Sequence, residues 1–555
     1  MQEQRNPVQM LAHWAQTKPD APWLFQPDDG QFKPITWAQA YAQVQRMASA
    51  LRAMGLASGA RVAISGLNTA HWFMADLAIA MAGYVSVGLY PKQQADHVTY
   101  ILEHSESQVL FLGPMSDAEV FVAAIPPGVR TIRFPYATAP RGELDWDALV
   151  AAHPPFTAYR PPAPDELATL VYTSGTTGKP KGVMITQRNC LYATAGGLKA
   201  MPPVGTERLF CYLPLAHMFE RGAVELSSLS LGAEVWFLEH IDKLGEQVVQ
   251  VQPTRFCGVP LVYTRMQAAI LKKLPQAKLD RLLRIPLVST LIKRKIRHGL
   301  GLSRARYVIV GAAPMPDALT HWFARLGVTI LQGYGMTENS IYATCNLPGA
   351  NRIGSVGREM PGAGLKISPD GEILFKSDAV MAGYYKDAEK THEAFTSDGH
   401  LRTGDKGRIE DGYLYITGRV KDLFKTAKGK YVSPAPIESA LARNPLLDQL
   451  CFVGNGLNQP IMLATLSAGG RELPRSEVES ALVADLDAVN ATLEPHEKIA
   501  KIVIVRDTWG IDNGMTTPTM KVKRSEVESR YRELLQLEAA HRSKIGWEVG
   551  STPQA

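Results

Sequence analysis

Short apolar runs rich in β-branched residues alternate with longer amphipathic stretches through the first four hundred residues. "ARVAISG" (60–66), "SQVLFLG" (107–113), "ATLVYTSG" (168–175), "ARYVIVGAAP" (305–314) and "VTILQGYG" (328–335) are of strand length and end in glycine or turn residues. Such near-continuous hydrophobicity marks strands buried on both faces with helices as connections, so the pattern predicts mostly parallel sheets in an α/β fold. Ligand sites in such sheets lie beyond the carboxyl ends of the strands, where the Gly-rich stretches fall. The run "HWFMADLAIAMAGYVSVGLY" (71–90) is broken by Asp76. It reads as a buried helix running into a strand, not as a membrane span.

The texture changes around "GEILFKSDAVMAGYY" and "RIEDGYLYITGRVKDLFKT". Asp370-Gly371 and Asp411-Gly412 there predict hairpin turns. A boundary near Gly418 to Lys421 divides the chain into a large domain, 1–418, and a small one, 419–555.

Length agrees, since 555 residues exceed one compact core. Five cysteines lie far apart with no metal-ligand spacing, which predicts buried packing thiols in a reducing, cytoplasmic setting. The N-terminal stretch lacks a basic region followed by an apolar core, so no signal peptide is expected. A net charge of +6 is mild and gives no reason to expect nucleic acid. Residues 272–297 hold nine Lys or Arg against Asp280 alone. This segment reads first as a solvated helix face; the functional alternative is peripheral contact with an anionic membrane, or with a polyphosphate.

The chemistry gathers in "YTSGTTGKPKG" (172–182). It fails the P-loop spacing, because Gly175 and Gly178 are too close and Pro180 follows Lys179. Pro180 also stops a helix from starting at the lysine. The stretch therefore reads as a loop whose backbone N–H groups, hydroxyls and lysines close around phosphate oxygens. A lone Gly/Thr loop could equally be a flexible connection.

The Thr-Ser-Gly-Thr-Thr-Gly-x-Pro-Lys-Gly core resembles the phosphate-binding signature of the adenylate-forming enzymes, which include acyl-CoA synthetases, peptide-synthetase adenylation domains and beetle luciferases. "QGYGMTE" (332–338), "LRTGDKGRIEDGYLYITGRVKDLFK" (401–425) and "MTTPTMKVKR" (515–524) follow in that superfamily's order. The resemblance implies a large domain of mostly parallel sheets flanked by helices, with a β-barrel-like subdomain, and a small mobile α+β domain. It also implies ATP, Mg²⁺ and CoA as ligands. Thr173, Ser174, Gly175, Thr176, Thr177, Gly178 and Lys181 would surround phosphates. Gly333, Tyr334, Gly335, Met336 and Thr337 would hold adenine, with Tyr334 as its platform. Glu338 would bind Mg²⁺ with Thr173. Asp405 would accept both ribose hydroxyls, Arg419 would bind ribose or phosphate, and Lys425 would be a further nucleotide contact. Lys421 falls on the hinge between domains. Lys521 would stabilise charge on the carboxylate and α-phosphate, although Met520 replaces the usual glycine and Lys523 and Arg524 stand beside it.

"LPLAHMFERG" (213–222), "GAAPMP" (311–316) and "GRVKDLFKTAKGKYVSP" (418–434) look most like long-chain fatty acyl-CoA synthetases. By that resemblance His217 lies near the acyl carboxylate or the thiol. Some bacterial members carry a gating tryptophan four residues later, where this chain has Arg221, so a different gate or acid is expected. The implied reaction joins a long- or medium-chain fatty acid to ATP, then passes the acyl group to CoA as the small domain turns about Lys421. Lys428, Gly429 and Lys430 would shape the second half-reaction. Two rivals stand beside it: a ligase loading a separate carrier protein, and a non-catalytic lipid- or nucleotide-binding protein. Both monomer and homodimer are open.

Overall fold

A computed structural model of the chain describes residues 5–173, 179–420, 422–517, 521–541 and 543–548. The chain forms two compact units: Met1–Ala313 with Thr320–Lys366 and Leu374–Arg402, and Pro314–Leu319 with Ile367–Ile373 and Thr403–Ala555.

The first unit is α/β. One sheet runs in the order Gly383–Tyr384, Lys181–Thr186, Leu167–Thr173, Val85–Leu89, Arg61–Ser65, Val109–Leu112, Arg130–Arg133, Leu144–Asp145. From Leu167–Thr173 onward its neighbours are parallel, and the first two strands run antiparallel. A second sheet sets Ile330–Tyr334, Tyr307–Val310, Arg255–Gly258, Arg208–Cys211, Glu234–Phe237 and Pro22–Asp28 side by side, again in parallel. The strands expected from the sequence are all present, and helices lie in the crossovers between parallel neighbours except from Arg130–Arg133 to Leu144–Asp145, which are joined without one.

Apolar residues of both sheets and of the helices Trp37–Ala53 and Ala70–Met81 share one core, where Trp23 stacks on Trp37 with ring centroids 4.4 Å apart. The helix Ala70–Met81 is buried on every side, and the strand Val85–Leu89 follows it. Thr69 caps it by accepting the Trp72 N–H at 3.3 Å.

The second unit holds the antiparallel pair Leu401–Glu410 and Tyr413–Arg419, from Thr403 on. Asp411 and Gly412 join the strands at φ +51° and +81°, the two left-handed residues that a tight hairpin turn demands. A four-stranded sheet follows: Leu447–Val453, Ile461–Leu466, Lys501–Ile504, Ile545–Trp547. Apart from a register shift between Leu447 and Leu450, its side chains alternate. Phe452, Met462, Ile502 and Ile504 meet the helices Pro434–Leu441 and Arg475–Asn490, whereas Cys451, Leu463, Val503 and Val505 meet Arg524–Arg530 and Arg532–Ala540. All five cysteines are buried, and none forms a disulfide.

Candidate active site

In the first unit the strand Leu167–Thr173 ends at Thr173, which pairs with Lys181 at the start of the returning strand. The phosphate-loop residues Ser174, Gly175, Thr176, Thr177 and Gly178 lie outside the described residues. At the start of the returning strand, Lys181 places its ammonium 4.7 Å from the ring centroid of Tyr384. Strand pairing sets this contact, since Gly383–Tyr384 is the edge strand beside Lys181–Thr186.

"QGYGMTE" ends the strand Ile330–Tyr334 and turns into the single 3₁₀ turn Thr337–Asn339. Gly333 and Tyr334 pair with Cys345 and Thr344, and Tyr334 is half-buried with Phe375 6.2 Å away. The sharp reversal explains Gly335: a Cβ there would sit 2.6 Å from the Ile341 carbonyl carbon. Met336 N–H donates to Asn339 Oδ1 at 2.9 Å and fixes the turn. Glu338 is buried, and its backbone carbonyl accepts the Met381 N–H at 2.8 Å. Its side-chain Oε1 accepts the Tyr384 hydroxyl at 2.9 Å. A 3₁₀ turn of three residues has almost no dipole to hold an acid, so helix-end stabilisation does not account for Glu338. Lys181, Tyr384 and Glu338 thus form a contiguous cation, phenol and carboxylate. A cavity of about 220 Å³ beside them is lined by Lys179, Lys181 and Lys390 together with Tyr100, His104 and Tyr384.

His217 caps the short helix Met218–Glu220, its Nδ1 accepting the Phe219 N–H at 3.1 Å. That fixes the neutral tautomer with the hydrogen on Nε2. A π-helical turn, Arg221–Leu226, follows. Arg221 is buried. Its guanidinium donates to Asp76 Oδ2 and Thr169 Oγ1, each at 2.6 Å, and to Ser86 Oγ at 3.2 Å, while Glu225 Oε2 lies 3.6 Å from Nε. A side chain held this way has no rotamer freedom for gating. Burial, reinforced by the Asp76 carboxylate, pushes the Glu225 carboxyl well above its ordinary range. Asp76 in an apolar run was the signal for it.

In the second unit Asp405 and Arg419 face each other across the hairpin, and Arg419 Nε donates to Asp405 Oδ1 at 2.8 Å. The Gly404 N–H donates to Glu372 Oε1 at 3.0 Å. Arg408 turns away and pairs with Glu410 at 2.6 Å. Lys421 lies outside the described residues. Lys425 is exposed on the strand Phe424–Lys425, 5.6 Å from the Tyr431 ring centroid. Lys428, Gly429 and Lys430 form a turn closed by the Thr426 N–H donating to the Lys430 carbonyl at 2.9 Å.

Lys521 is exposed; its N–H donates to Thr517 Oγ1 at 3.1 Å and its carbonyl accepts the Thr517 N–H at 2.8 Å. Arg524 is committed elsewhere. It holds Glu438 at 2.7 and 3.1 Å and the Phe452 carbonyl at 2.5 Å. The neighbouring basic residues therefore differ in kind: one is an exposed lysine, the other a structural arginine.

The architecture matches solved adenylate-forming proteins. A crystal structure of the anthranilate CoA ligase AuaEII with anthranoyl-AMP superimposes with a TM-score of 0.80 over 97% of this chain and 99% of that one, at 23% identity. The adenylation domain of a carboxylic acid reductase from Segniliparus rugosus, solved with AMP and a carboxylic acid, also gives 0.80, over 97% and 95%, at 21% identity. Residues 11–385 match the AMP-binding enzyme family and residues 421–540 the AMP-binding enzyme C-terminal domain. The chain belongs to the AMP-binding enzyme family. Among its relatives are the long-chain-fatty-acid–CoA ligase FadD15 of Mycobacterium bovis, 31% identical over 91% of this chain and 92% of that protein, and the human long-chain-fatty-acid–CoA ligase 1, 30% identical over 90% and 82%. Among the described residues no helix is long and apolar enough to cross a membrane.

Proposed function

We propose that the chain activates a long- or medium-chain fatty acid with ATP and then transfers the acyl group to CoA, releasing AMP and pyrophosphate. The observation that carries this reading is the Lys181–Tyr384–Glu338 constellation at the end of the strand pair that brackets the phosphate loop. The relatives named for long-chain fatty acid ligation support the choice of acid.

Glu338 and Thr173 offer hard oxygen donors suited to Mg²⁺. Among the described residues no three His, Cys, Asp or Glu side chains cluster as a metal site. Bound there, Mg²⁺ would neutralise phosphate charge as the fatty carboxylate attacks the α-phosphorus and pyrophosphate leaves. Tyr334 offers an aromatic face for adenine. Asp405, held through one oxygen by Arg419, receives the ribose hydroxyls. Lys521 supplies positive charge to the carboxylate and α-phosphate. In the second half-reaction the CoA sulfur attacks the acyl carbonyl, its proton is lost, and AMP leaves. His217 can donate from Nε2 to the acyl oxygen, because Nδ1 is engaged by Phe219.

The test is AMP and pyrophosphate release with fatty acids of graded length, with and without CoA, beside Lys521→Ala. CoA-dependent turnover that peaks at one chain length and collapses in the variant is expected. Acyl-adenylate retained without CoA-dependent turnover would replace CoA by a carrier protein. Inactivity towards every acid would remove the enzyme reading.

A further inference from the structure

The segment 272–297 forms the end of the helix Pro260–Lys273, the helix Gln276–Leu283 and most of the helix Pro286–Gly299. Pro286–Gly299 inverts the usual rule for a surface helix. Its inner side already has apolar cover, with Ser289 buried and Val288, Ile292 and Ile296 half-buried. Yet Leu287 is 83% exposed and Leu291 67%, and Ile285 just before the helix is 51% exposed. With a period of 3.6 residues, Leu287, Leu291, Arg294 and His298 fall on one outward stripe.

Bases surround these apolar side chains. Lys278, Arg281 and Arg284 are exposed on the preceding helix and its end, Arg294 is exposed within the stripe itself, and exposed Lys295 stands alongside. The segment's single acid, Asp280, is engaged by Arg325. Among the described residues no carboxylate forms an ion pair with any of the nine bases. A solvated charged face would explain the lysines and arginines but gives the leucines no purpose. A soluble polyphosphate would leave the leucines equally unused. Apolar residues ringed by bases are what a helix lying in the plane of an anionic bilayer presents.

We propose that Ile285, Leu287 and Leu291, ringed by Lys278, Arg281, Arg294 and Lys295, dock the protein onto an anionic lipid bilayer. The leucines enter the region between headgroups and acyl chains while the bases meet lipid phosphates. The helix is about 21 Å long, so it lies in the interface instead of crossing it. Docking needs neither nucleotide nor acid and stands apart from the proposed reaction; if both hold, the site works where a long-chain acid partitions.

The test is co-sedimentation of the full chain, without ATP or fatty acid, with vesicles of phosphatidylcholine alone or mixed with phosphatidylglycerol, at rising salt. Binding to the mixed vesicles only, weakening with salt, is expected. L287S/L291S should reduce partitioning about a hundredfold, and R294E/K295E by more than about twentyfivefold, since each lost base counts for about fivefold. Circular dichroism and thermal melting of both variants should match the parent, because these side chains face solvent. Equal binding by parent and variants, or none by the parent, overturns the proposal. So does capture of inorganic polyphosphate, or of an acidic protein, by a chain that ignores the vesicles.

Discussion

Tyr384 donates its hydroxyl to Glu338 Oε1 at 2.9 Å, joining the edge strand Gly383–Tyr384 to the turn after the strand Ile330–Tyr334. The tyrosine is itself fixed, because its backbone N–H donates to Thr391 Oγ1 at 2.9 Å. Burial and then the Glu338 carboxylate raise its hydroxyl pKa, so the phenol remains a donor across the working pH range. One carboxylate oxygen of Glu338 is thereby held in a fixed orientation.

Tyr384→Phe should therefore weaken Mg²⁺ use. A hydrogen bond to a charged group contributes about 1.5–3 kcal/mol, so the Mg²⁺ concentration for half-maximal turnover should rise about tenfold or more. Calorimetric titration of Mg²⁺–ATP provides a readout independent of turnover and should show the same loss. An unchanged Mg²⁺ dependence would reduce Tyr384 to a packing residue.

Arg221→Met would leave Asp76 and Glu225 buried without their cation. Removing one partner from a buried ion pair costs about 3–5 kcal/mol, and the π-helical turn that carries Arg221 and Glu225 should loosen with it. Denaturant unfolding should show a loss in this range, and adding Asp76→Asn with Glu225→Gln should recover a large part of it. A loss below about 1 kcal/mol would mean that the cluster tolerates its unpaired carboxylates.

Much of this arrangement was legible in the sequence. The parallel strands could be read from β-branched runs ending in glycine, and the Asp411-Gly412 hairpin from its turn dipeptide. The buried helix Ala70–Met81 could be read from a run whose one acid now has a partner. The links between distant segments were not legible. Tyr384 lies 46 residues from Glu338, and Arg221 lies 145 from Asp76. No local pattern pairs residues that far apart; sheet order alone brings them together. Arg408 shows the same limit in reverse, since only the structure turns it towards Glu410 and away from Asp405.

The register of the C-terminal basic residues can be tested by contrast. Lys521→Ala should cut adenylation by about a hundredfold or more, the scale of losing a group that stabilises transition-state charge, with an unchanged melting temperature. Arg524→Ala should do the opposite. It strands Glu438 and the Phe452 carbonyl, so the second unit should lose stability while any residual folded protein keeps its turnover per site. Equal effects of both substitutions on activity and on melting would erase the distinction between the two roles.

Glu220 gives a pH signature. It is 1% exposed, and Oε1 accepts the Tyr212 and Leu213 N–H groups at 2.8 and 3.2 Å. Burial nevertheless dominates those bonds and pushes its carboxyl from 4.5 up to about 8. The folded chain therefore keeps this proton through a range in which the unfolded chain has already released it. Between 4.5 and about 8 the unfolded state binds fewer protons, so this group's contribution to stability falls as pH rises and levels off above about 8. Glu220→Gln keeps an oxygen acceptor for both N–H groups and has nothing to ionise. Its melting temperature relative to the parent should climb across that window and then stay flat. A difference that is constant with pH would show that Glu220 does not titrate out of step with the unfolded chain.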